Sequence, residues 1–550
     1  MRVSYLQCKR AAFFCLALPS AIFAIGFLRW YVGFPIACLL TVAYVFSLRD
    51  MRYEEERTVF LSVPTLIFIL VTVAFWCYLS GLGNLYAQSE DWAARNAIFR
   101  DLIRMDWPVV YASKKAALVY YIGYWLPAAL LGKGTLALTG RLSVAWTVGN
   151  LALLAWSVVC VFLTLLLVLV YLQTASKRQT WLVVLLFVFF SGPDIIGTVY
   201  NTLVRGWAFP LHLEWWSVYQ FSSMTTALHW VFNQSVFAWM ATVLFLFERR
   251  VRNYALIIAC LLSASPLPAV GLGGYMVGYA FVLLWRARRE RETGRFWRDV
   301  FTVQNLIAVF TLLPLYFLYY KTNLAVNVGQ IYTVTPPRDI RGIFFLLSCA
   351  AVLTLLAVLL YRHGAKSFMR VWGTVITTLL LVVGVMIFDP TTRISYFLFL
   401  TLEVFVFLLL IWGDGKSNPI FWLTWGIAML CPLITVGTAA DFCMRASIPV
   451  VFILMILCLR YLLSHTSLLR ERAWSWEKGA YVVLLGVIVL GAVTPTVEFY
   501  RGALEFAKGY RAYDWIYTFD RIFEGPLASL DRNFIANGYE ETLFYRFLAK

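Results

Sequence analysis

Runs of apolar residues, each about as long as a bilayer is thick, alternate with short polar connections along most of this chain. A helix needs about 20 apolar residues to cross a membrane. The pattern predicts an all-α integral membrane protein with about 13–15 transmembrane helices. The short pair at 254–286 is interrupted by prolines and is interpreted as a hairpin that need not fully cross. The predicted spans are 11–28, 31–48, 59–80, 143–172, 178–196, 228–248, 254–265, 268–286, 303–321, 342–361, 371–388, 395–413, 419–436, 446–464 and 478–496.

Composition strengthens this prediction. Hydrophobic residues make up 61% of the 550 positions and charged residues 14%, against roughly 25% charged residues in soluble proteins. The net charge of +17 is attributed to the basic loops that mark the cytoplasmic side of membrane proteins. Nucleic acid is not an expected partner, because no basic run is interleaved with aromatic residues in a soluble segment. Bilayer lipids are the expected surroundings.

Basic residues also set the expected orientation. With the amino end in the cytoplasm and the carboxyl end outside, the short basic loops fall inside, and the outside segments hold fewer Lys and Arg residues for their length, a bias that fits the positive-inside rule. These loops are 49–52, 177–178, 249–250, 286–298, 362–370 and 460–478. The apolar run 116–132 is not counted as a span, because counting it would move the later basic loops outside. It is predicted to be an interfacial helix on the outer face, carrying Tyr120, Tyr121, Tyr124 and Trp125.

Four segments predicted to lie outside are long enough to carry chemistry. They are 81–142, 197–227, 322–341 and 497–550. The first three are outer loops of a membrane domain that covers 1–496. The fourth is predicted to form a small helical tail on the outer face, because its aromatic residues recur at helical spacing.

The first outer loop carries an acidic pair, Glu90 and Asp91, directly after Ser89. Ser89 is a predicted helix N-cap, and Trp92 and Ile103 give the following helix an apolar side that can lie along a membrane. Acidic residues in a first helical turn interact favourably with the helix dipole. A carboxylate there can equally act as a general base toward an acceptor hydroxyl. The sequence leaves both interpretations open.

The second outer loop combines charged, aromatic and amide side chains. Asp194 follows a Gly-Pro pair at the end of a predicted span and is a second candidate carboxylate. A segment that faced only lipid would not carry so many polar groups. Aromatic rings among amides and hydroxyls suit sugars, which have apolar faces and polar edges. An aromatic belt at the headgroup level is the alternative for the tryptophans. The residues concerned are Arg205, His212, Glu214, Trp215, Trp216 and Gln220.

Arginines stand at predicted span ends on the outer side. Arg393 follows Asp389, and Arg445 lies four residues after Asp441 on the same helical face. The guanidinium fork suits a phosphate group. A simple Asp–Arg pair that closes a helix end is the alternative, and for Asp441 and Arg445 both interpretations stand.

Several enzyme and transporter classes lack their motifs in this sequence. It contains no Walker A motif, no dinucleotide fingerprint, no HExxH pair and no GxSxG elbow. This argues against ATP-driven transport by this chain alone, a nicotinamide enzyme, a zinc protease and a serine hydrolase. The ten cysteines form no CxxC pair and the four histidines share no ligand spacing. No cofactor is predicted, and a divalent metal stays open without a ligand pattern that supports it.

The first outer loop resembles a known family. Asp91 lies on a long outer loop and is followed by the amphipathic segment DLIRMDWPVVY, the aromatic segment LVYYIGYWLPAALLGK and then Gly140, Arg141 and Leu142. This order is similar to that of the GT-C superfamily of polytopic glycosyltransferases, which use a polyprenyl-phosphate-linked sugar and an outer-loop carboxylate. The resemblance is close in this loop and loose in the many-helix layout.

The resemblance implies a bacterial enzyme that moves a sugar from a polyprenyl-phosphate donor to a cell-envelope glycan or lipid acceptor. The reaction would take place on the outer face of the cytoplasmic membrane. Asp91 or Glu90 would be the general base, with Asp194 as the second candidate. Arg205, Arg393 and Arg445 would hold the donor phosphate. The acceptor groove would be shaped by His212, Glu214, Trp215, Trp216 and Gln220.

Two rival functions come from other classes. A transporter or flippase for a lipid-linked saccharide would carry charged residues deep in its helices, near the bilayer midplane. Most predicted spans have no charge at their centres, and Glu403 is the main exception. A non-catalytic membrane assembly subunit is the second rival.

Overall fold

The structure confirms the multi-pass helical membrane class. The computed structural model describes residues 1–550 except 52–53, 55, 207, 214–218, 327–398, 435–440, 471–472, 474 and 510–533, and the side chains of 113, 204–205, 324–326 and 476. About 78% of the described residues are helical. Within the described residues, eight apolar helices are long enough to cross a membrane. They are Tyr5–Phe27, Trp30–Asp50, Leu142–Leu172, Lys177–Leu203, Met224–Phe247, Pro266–Arg289, Val303–Asn323 and Glu477–Ala507.

Further apolar helices are shorter, at Val63–Leu79, Val251–Leu262, Thr401–Leu410, Pro419–Leu433 and Ile448–Ser464. Two predicted spans, 342–361 and 371–388, lie outside the described residues, as does most of the third outer segment, 322–341. The predicted short hairpin at 254–286 is different in the structure. Its second half belongs to the 24-residue helix Pro266–Arg289, because prolines are tolerated in a first helical turn.

The α-helices follow one another with short connections. In chain order they are α1 (Tyr5–Phe27), α2 (Trp30–Asp50), α3 (Val63–Leu79), α4 (Trp92–Arg104), α5 (Leu126–Thr139), α6 (Leu142–Leu172), α7 (Lys177–Phe189), α8 (Asp194–Arg205), α9 (Met224–Phe247), α10 (Tyr254–Leu262), α11 (Pro266–Arg289), α12 (Thr293–Val300), α13 (Val303–Ile307), α14 (Leu313–Val326), α15 (Val406–Leu410), α16 (Trp412–Gly415), α17 (Pro419–Leu430), α18 (Asp441–Ala446), α19 (Ile448–Ser464), α20 (Trp476–Gly491) and α21 (Val493–Ala507). π-helical turns lie at Ala308–Leu312, Thr401–Phe405 and Phe544–Leu548.

The chain divides into two compact units. The first comprises Met1–Thr180, Ala227–Gln330 and Phe499–Lys550, and the second Trp181–Thr226 and Ile331–Glu498. In the first unit α5 packs along α6, α1 packs against α2 and α6, and α4 packs against α5. In the second unit α17 packs against α19, and α20 packs against α15 and α8.

Short antiparallel strands accompany the helices of the first unit. Strand β1 (Arg2–Ser4) pairs with β2 (Thr58–Phe60). Strands β3 (Val110–Tyr111), β4 (Ala116–Leu118) and β5 (Ile535–Asn537) form a three-stranded sheet with β4 in the middle. Leu118 is opposite Ile535 in this sheet, so the end of the chain pairs with a segment near its beginning.

Polar side chains begin several helices by bonding to backbone N–H groups of the first turn. Ser4 accepts from the Gln7 amide at 3.3 Å before α1, and Ser475 accepts from the Lys478 amide at 3.1 Å before α20. Such caps satisfy amides that have no intrahelical partner.

The segment 116–132 is not a single interfacial helix. It contains strand β4, a 3₁₀ turn at Gly123–Trp125 and the first half of α5. Tyr124 and Trp125 are buried, at 0% and 1% exposure. The physical reason is that the Tyr124 hydroxyl donates to the Ser157 hydroxyl at 2.8 Å and its ring packs against Phe237, so the polar end of the side chain has a protein partner.

Three other local predictions are wrong in detail. Ser89 is not the N-cap, because α4 begins at Trp92 with Asp91 in the capping position and no side-chain bond there. Helix α4 is buried along nearly its whole length, so it does not lie exposed along a surface. The described part of the tail is also not all helical: it continues α21 to Ala507 and then contributes β5.

Candidate functional site

The loop before α4 is held in shape by glycines and amides. Gly81 and Gly83 have positive φ values of 88° and 89°, which other residues rarely adopt. The Gln88 amide donates to the carbonyl of Gly81 at 3.0 Å and accepts from Asn96 at 2.8 Å. Because Asn96 lies in α4, these bonds tie the loop to the helix that follows the acidic pair.

Glu90 and Asp91 lie exposed where this loop meets α4. Half of the Asp91 side chain is accessible, whereas that of Arg95, one turn later, is 6% exposed. Arg95 donates from Nη2 to Oδ2 of Asp91 at 2.8 Å. The arginine therefore fixes the direction of the carboxylate while the carboxylate stays accessible to a second molecule. The same i, i+4 pair also suits a structural role.

Aromatic packing joins α4 to α9 in the first unit. The indole N–H of Trp92 donates to the carbonyl of His229 at 3.1 Å, and its ring stacks on Phe232 at a centroid distance of 4.7 Å. Helix α9 is kinked here, with Val231 at φ −138° and ψ 37°. The kink frees the carbonyl of Ala227, which accepts from the Ser235 hydroxyl at 3.0 Å.

Two amide side chains just after the kink were not among the predicted site residues. Asn233 and Gln234 are 0% and 1% exposed. Within the part of the chain that the structure describes, neither amide group has a hydrogen-bond partner. Buried amides without partners are unfavourable and therefore uncommon. The sequence signal was the WVFNQS run inside an otherwise apolar span.

In the second unit Asp194 is the centre of a buried hydrogen-bond network. It is 5% exposed and begins α8 after Pro193. Its Oδ2 accepts from the hydroxyls of Ser191 at 3.0 Å and Thr494 at 2.8 Å. Asp194 is thus less accessible than the acidic pair of the first unit.

His212 pairs with Glu498, which is fully buried. Glu498 lies four residues after Thr494 on α21, so both face the same side of that helix. Asp194 and His212 are therefore brought against successive turns of one helix. The sequence placed these two residues in the same loop, but Glu498 was not recognised as a partner.

Gln220 lies in a mostly buried part of the second outer loop. Its side-chain amide donates to the Ser222 hydroxyl at 3.1 Å, and its backbone carbonyl accepts from the Cys443 thiol at 3.5 Å. Burial raises the pKa of the neighbouring Tyr219 phenol above its ordinary value, with a smaller contribution from Cys443. Tyr219 therefore stays a neutral hydrogen-bonding group at neutral pH.

Glu403, noted as the charged exception within a span, is 3% exposed and lies in the π-helical turn Thr401–Phe405. Its carboxylate packs onto the backbone of Gly192, where an added Cβ would overlap it. π-helical turns are rare in proteins, and those that occur are frequently located at functional sites. Among its described residues, the second unit thus holds three buried carboxylates, those of Asp194, Glu403 and Glu498.

Arg445 forms the predicted pair with Asp441, with Nη2 and Oδ1 3.2 Å apart. Its side chain is 11% exposed. The remaining predicted site residues lie outside the described part of the chain. They are the side chain of Arg205, and Glu214, Trp215, Trp216 and Arg393.

Glu90 and Asp91 belong to the first unit, and Asp194, His212, Gln220 and Arg445 belong to the second. Among the described residues, no group of His, Cys, Asp or Glu has the arrangement needed to hold a metal ion. These features define an α-helical multi-pass membrane protein with buried charge in both units. No known protein family, characterised protein or solved structure matches the chain.

Proposed function

We propose that this protein is a glycosyltransferase that uses a polyprenyl-phosphate-linked sugar. The acceptor is a glycan or lipid of the cell envelope, and the reaction takes place on the outer face of the cytoplasmic membrane. The supporting observation is the Asp91 carboxylate, half exposed at the start of a buried helix and held by Arg95 at 2.8 Å. An orienting partner and an accessible oxygen are what a general base needs. In this proposal the amino end is inside and the carboxyl end outside.

The proposed step is a displacement at the anomeric carbon. Asp91 takes the proton of the acceptor hydroxyl as that oxygen attacks, and the bond from the anomeric carbon to the donor phosphate oxygen breaks. Polyprenyl phosphate leaves with the electron pair. The binding of the donor phosphate by Arg445 stays a sequence-based prediction.

The test is a transfer assay with purified protein in detergent or nanodiscs. Polyprenyl-phosphate sugars are supplied with envelope glycans or lipids as acceptors, and products are followed by mass spectrometry. A glycosylated acceptor together with free polyprenyl phosphate is expected. Absence of any transfer from a panel of donors, while the protein remains folded, contradicts the proposal.

A second candidate is supported by a different observation. Asp194, Glu403 and Glu498 are buried carboxylates in or next to apolar helices, and ionisable groups buried among apolar helices are typical of transporters. The alternative is therefore a transporter or flippase for a lipid-linked saccharide. Movement of a labelled lipid-linked sugar across sealed vesicles, with no transfer product, would favour it over the enzyme.

A further inference from the structure

A cavity of about 540 Å³ lies in the first unit. It is formed where the start of α1, the end of α2 and the turn after α9 meet. The proposed transfer chemistry does not use it. The loops around it are among those that the basic residues predict to be cytoplasmic, whereas Asp91 is predicted to be outside.

Lys9 is fully buried and lies directly behind Glu54 and Glu248, which line the cavity. Its Nζ lies 2.7 Å from the carboxylate of Glu54 and 2.7 Å from that of Glu248. Tyr5 also donates to Glu54 at 2.7 Å, and Asn253 donates to Glu248 at 3.0 Å. Both carboxylates therefore have a cation and a further hydrogen-bond donor.

A second ion-pair network completes the wall. Arg252 donates two bonds of 2.8 Å to Asp50 and one of 2.9 Å to Asp299. Gln304 donates to Asp50 at 2.7 Å. The acidic groups in and behind the wall are thus engaged by donors from the protein, which leaves little negative charge for a ligand cation.

The positive charge that is left over lies on three arginines of the lining, Arg57, Arg249 and Arg250. Arg250 is 47% exposed and approaches Asp299 only to 3.8 Å. Within the described residues, Arg57 and Arg249 take part in no ion pair. The cavity lining therefore contains two kinds of charged side chain. The acidic groups are neutralised by ion pairs, whereas the three arginines keep most of their positive charge uncompensated.

We propose that this cavity binds a phosphate-bearing anion through Arg57, Arg249 and Arg250. Guanidinium groups bind phosphate oxygens in a fork of two N–H bonds. The volume falls within the range of about 300–1,000 Å³ found for small-molecule pockets, so it holds more than a bare phosphate. The stacked rings of Tyr5 and Phe247, with centroids 4.2 Å apart, provide an apolar surface for the rest of the molecule.

A phosphate group could reach this cavity from two sources. One is the headgroup of an anionic phospholipid in the adjoining leaflet, and the other is a soluble organic phosphate such as a nucleoside diphosphate. Both use the same three arginines. They differ in whether the ligand comes from the bilayer or from solution, and separate binding measurements distinguish them.

The experiment uses the full-length protein and two probes. For the lipid source, native mass spectrometry compares retention of phosphatidylglycerol and of phosphatidylcholine. For the soluble source, calorimetry measures binding of a nucleoside diphosphate, with inorganic pyrophosphate as competitor. We expect saturable binding of one probe and displacement by pyrophosphate. The variant with Arg57→Gln and Arg249→Gln should bind at least about tenfold more weakly.

The matched control is Arg288→Gln. Arg288 is an exposed arginine in the last turn of α11 and does not line the cavity. Its loss should leave binding unchanged, and all variants should unfold at the same temperature as the native protein. If neither probe binds the native protein, the proposal is wrong. It is equally wrong if Arg288→Gln weakens binding as much as the double variant does. If the double variant fails to fold, the single variant Arg249→Gln, at an exposed position, is compared with Arg288→Gln in its place, and unchanged binding by Arg249→Gln contradicts the proposal.

Discussion

The buried guanidinium of Arg95 donates a 2.8 Å hydrogen bond to the half-exposed carboxylate of Asp91, one turn earlier in the chain. The Arg95 side chain is 6% exposed and needs a hydrogen-bond acceptor, whereas the half-exposed carboxylate can be solvated by water. An asparagine at position 91 would keep an oxygen for Arg95 and remove only the negative charge. A residue of this kind can be changed to separate function from folding.

Asp91→Asn should abolish glycosyl transfer without lowering membrane yield. Asparagine keeps the shape and an oxygen that can accept from Arg95, but it cannot take a proton from the acceptor. Loss of a general base reduces rates by roughly a hundredfold to ten-thousandfold. The measurement is the initial rate of product formation by purified protein, with donor binding measured in parallel. We expect donor binding to be retained.

Two control variants show whether the effect is specific to Asp91. Asp106→Asn removes a fully exposed carboxylate that is 3.8 Å from Lys133, and it should leave transfer unchanged. Glu90→Gln should have a milder effect than Asp91→Asn. If Glu90→Gln is inactive and Asp91→Asn is active, the two roles are exchanged. If both are fully active, the base lies elsewhere, and Asp194 is the next candidate.

The long helices could be predicted because an apolar run of about 20 residues has few alternatives to a spanning helix. The run 143–172 is observed as Leu142–Leu172. Strand β4 could not be predicted in the same way. It is three residues long, too short for an alternating pattern, and its partner β5 lies at the far end of the chain.

In the candidate sites, too, contacts between residues close in sequence could be predicted and contacts between distant residues could not. The pair of Asp441 and Arg445 follows from their i, i+4 spacing. The bonds of Asp194 to Thr494 and of His212 to Glu498 join residues 300 and 286 positions apart. Nothing local marks such partners, because they meet only once the helices of the second unit pack together.

Glu498→Ala should destabilise the protein strongly. Glu498 is fully buried against His212, and removing a buried hydrogen-bonding partner costs roughly 1–3 kcal/mol, or more where a charged group is involved. The measurement is thermal unfolding in detergent by intrinsic fluorescence. Glu498→Gln should be less destabilising, because it still bonds to the imidazole. The control on the same helix is Glu505→Ala, whose carboxylate is 33% exposed and should contribute under about 1 kcal/mol. Equal effects of the two alanine variants would contradict the buried pair.

Lys9→Met should also be destabilising, by roughly 3–5 kcal/mol. Methionine fills the same space, but the carboxylates of Glu54 and Glu248 then lose the cation that lies 2.7 Å from each. Adding Glu248→Gln to Lys9→Met should recover part of the loss, because one of the two uncompensated charges is removed.

The neighbouring residue provides the control for Lys9. Arg10→Met removes a positive charge from an exposed position of the same helix and should change stability by less than about 0.5 kcal/mol. Chemical unfolding of the four proteins, native and variant, gives the comparison. If the double variant is no more stable than Lys9→Met, the three groups are not energetically coupled as their geometry indicates.

Gly491→Ala tests the packing of helix α20 against the segment that precedes Asp194. A Cβ at Gly491 would overlap the carbonyl oxygen of Ser191, and it would lie 3.2 Å from that of Gly192. Both contacts are with backbone, so no side chain can rotate away, and the helix and the segment must separate. Gly486 is on the same helix with nothing within 4 Å of an added Cβ.

Gly486→Ala should therefore be neutral or slightly stabilising, since alanine is favoured over glycine in a helix by up to about 1 kcal/mol. Gly491→Ala should instead lower the unfolding temperature, with a loss of roughly 1–3 kcal/mol, as for other overpacked sites. Because Ser191 donates to Asp194 at 3.0 Å, the same separation should disturb the Asp194 network. The two single variants are compared by thermal unfolding in the same detergent. If Gly491→Ala is as stable as Gly486→Ala, then α20 does not make the close backbone contact that holds Asp194 in place.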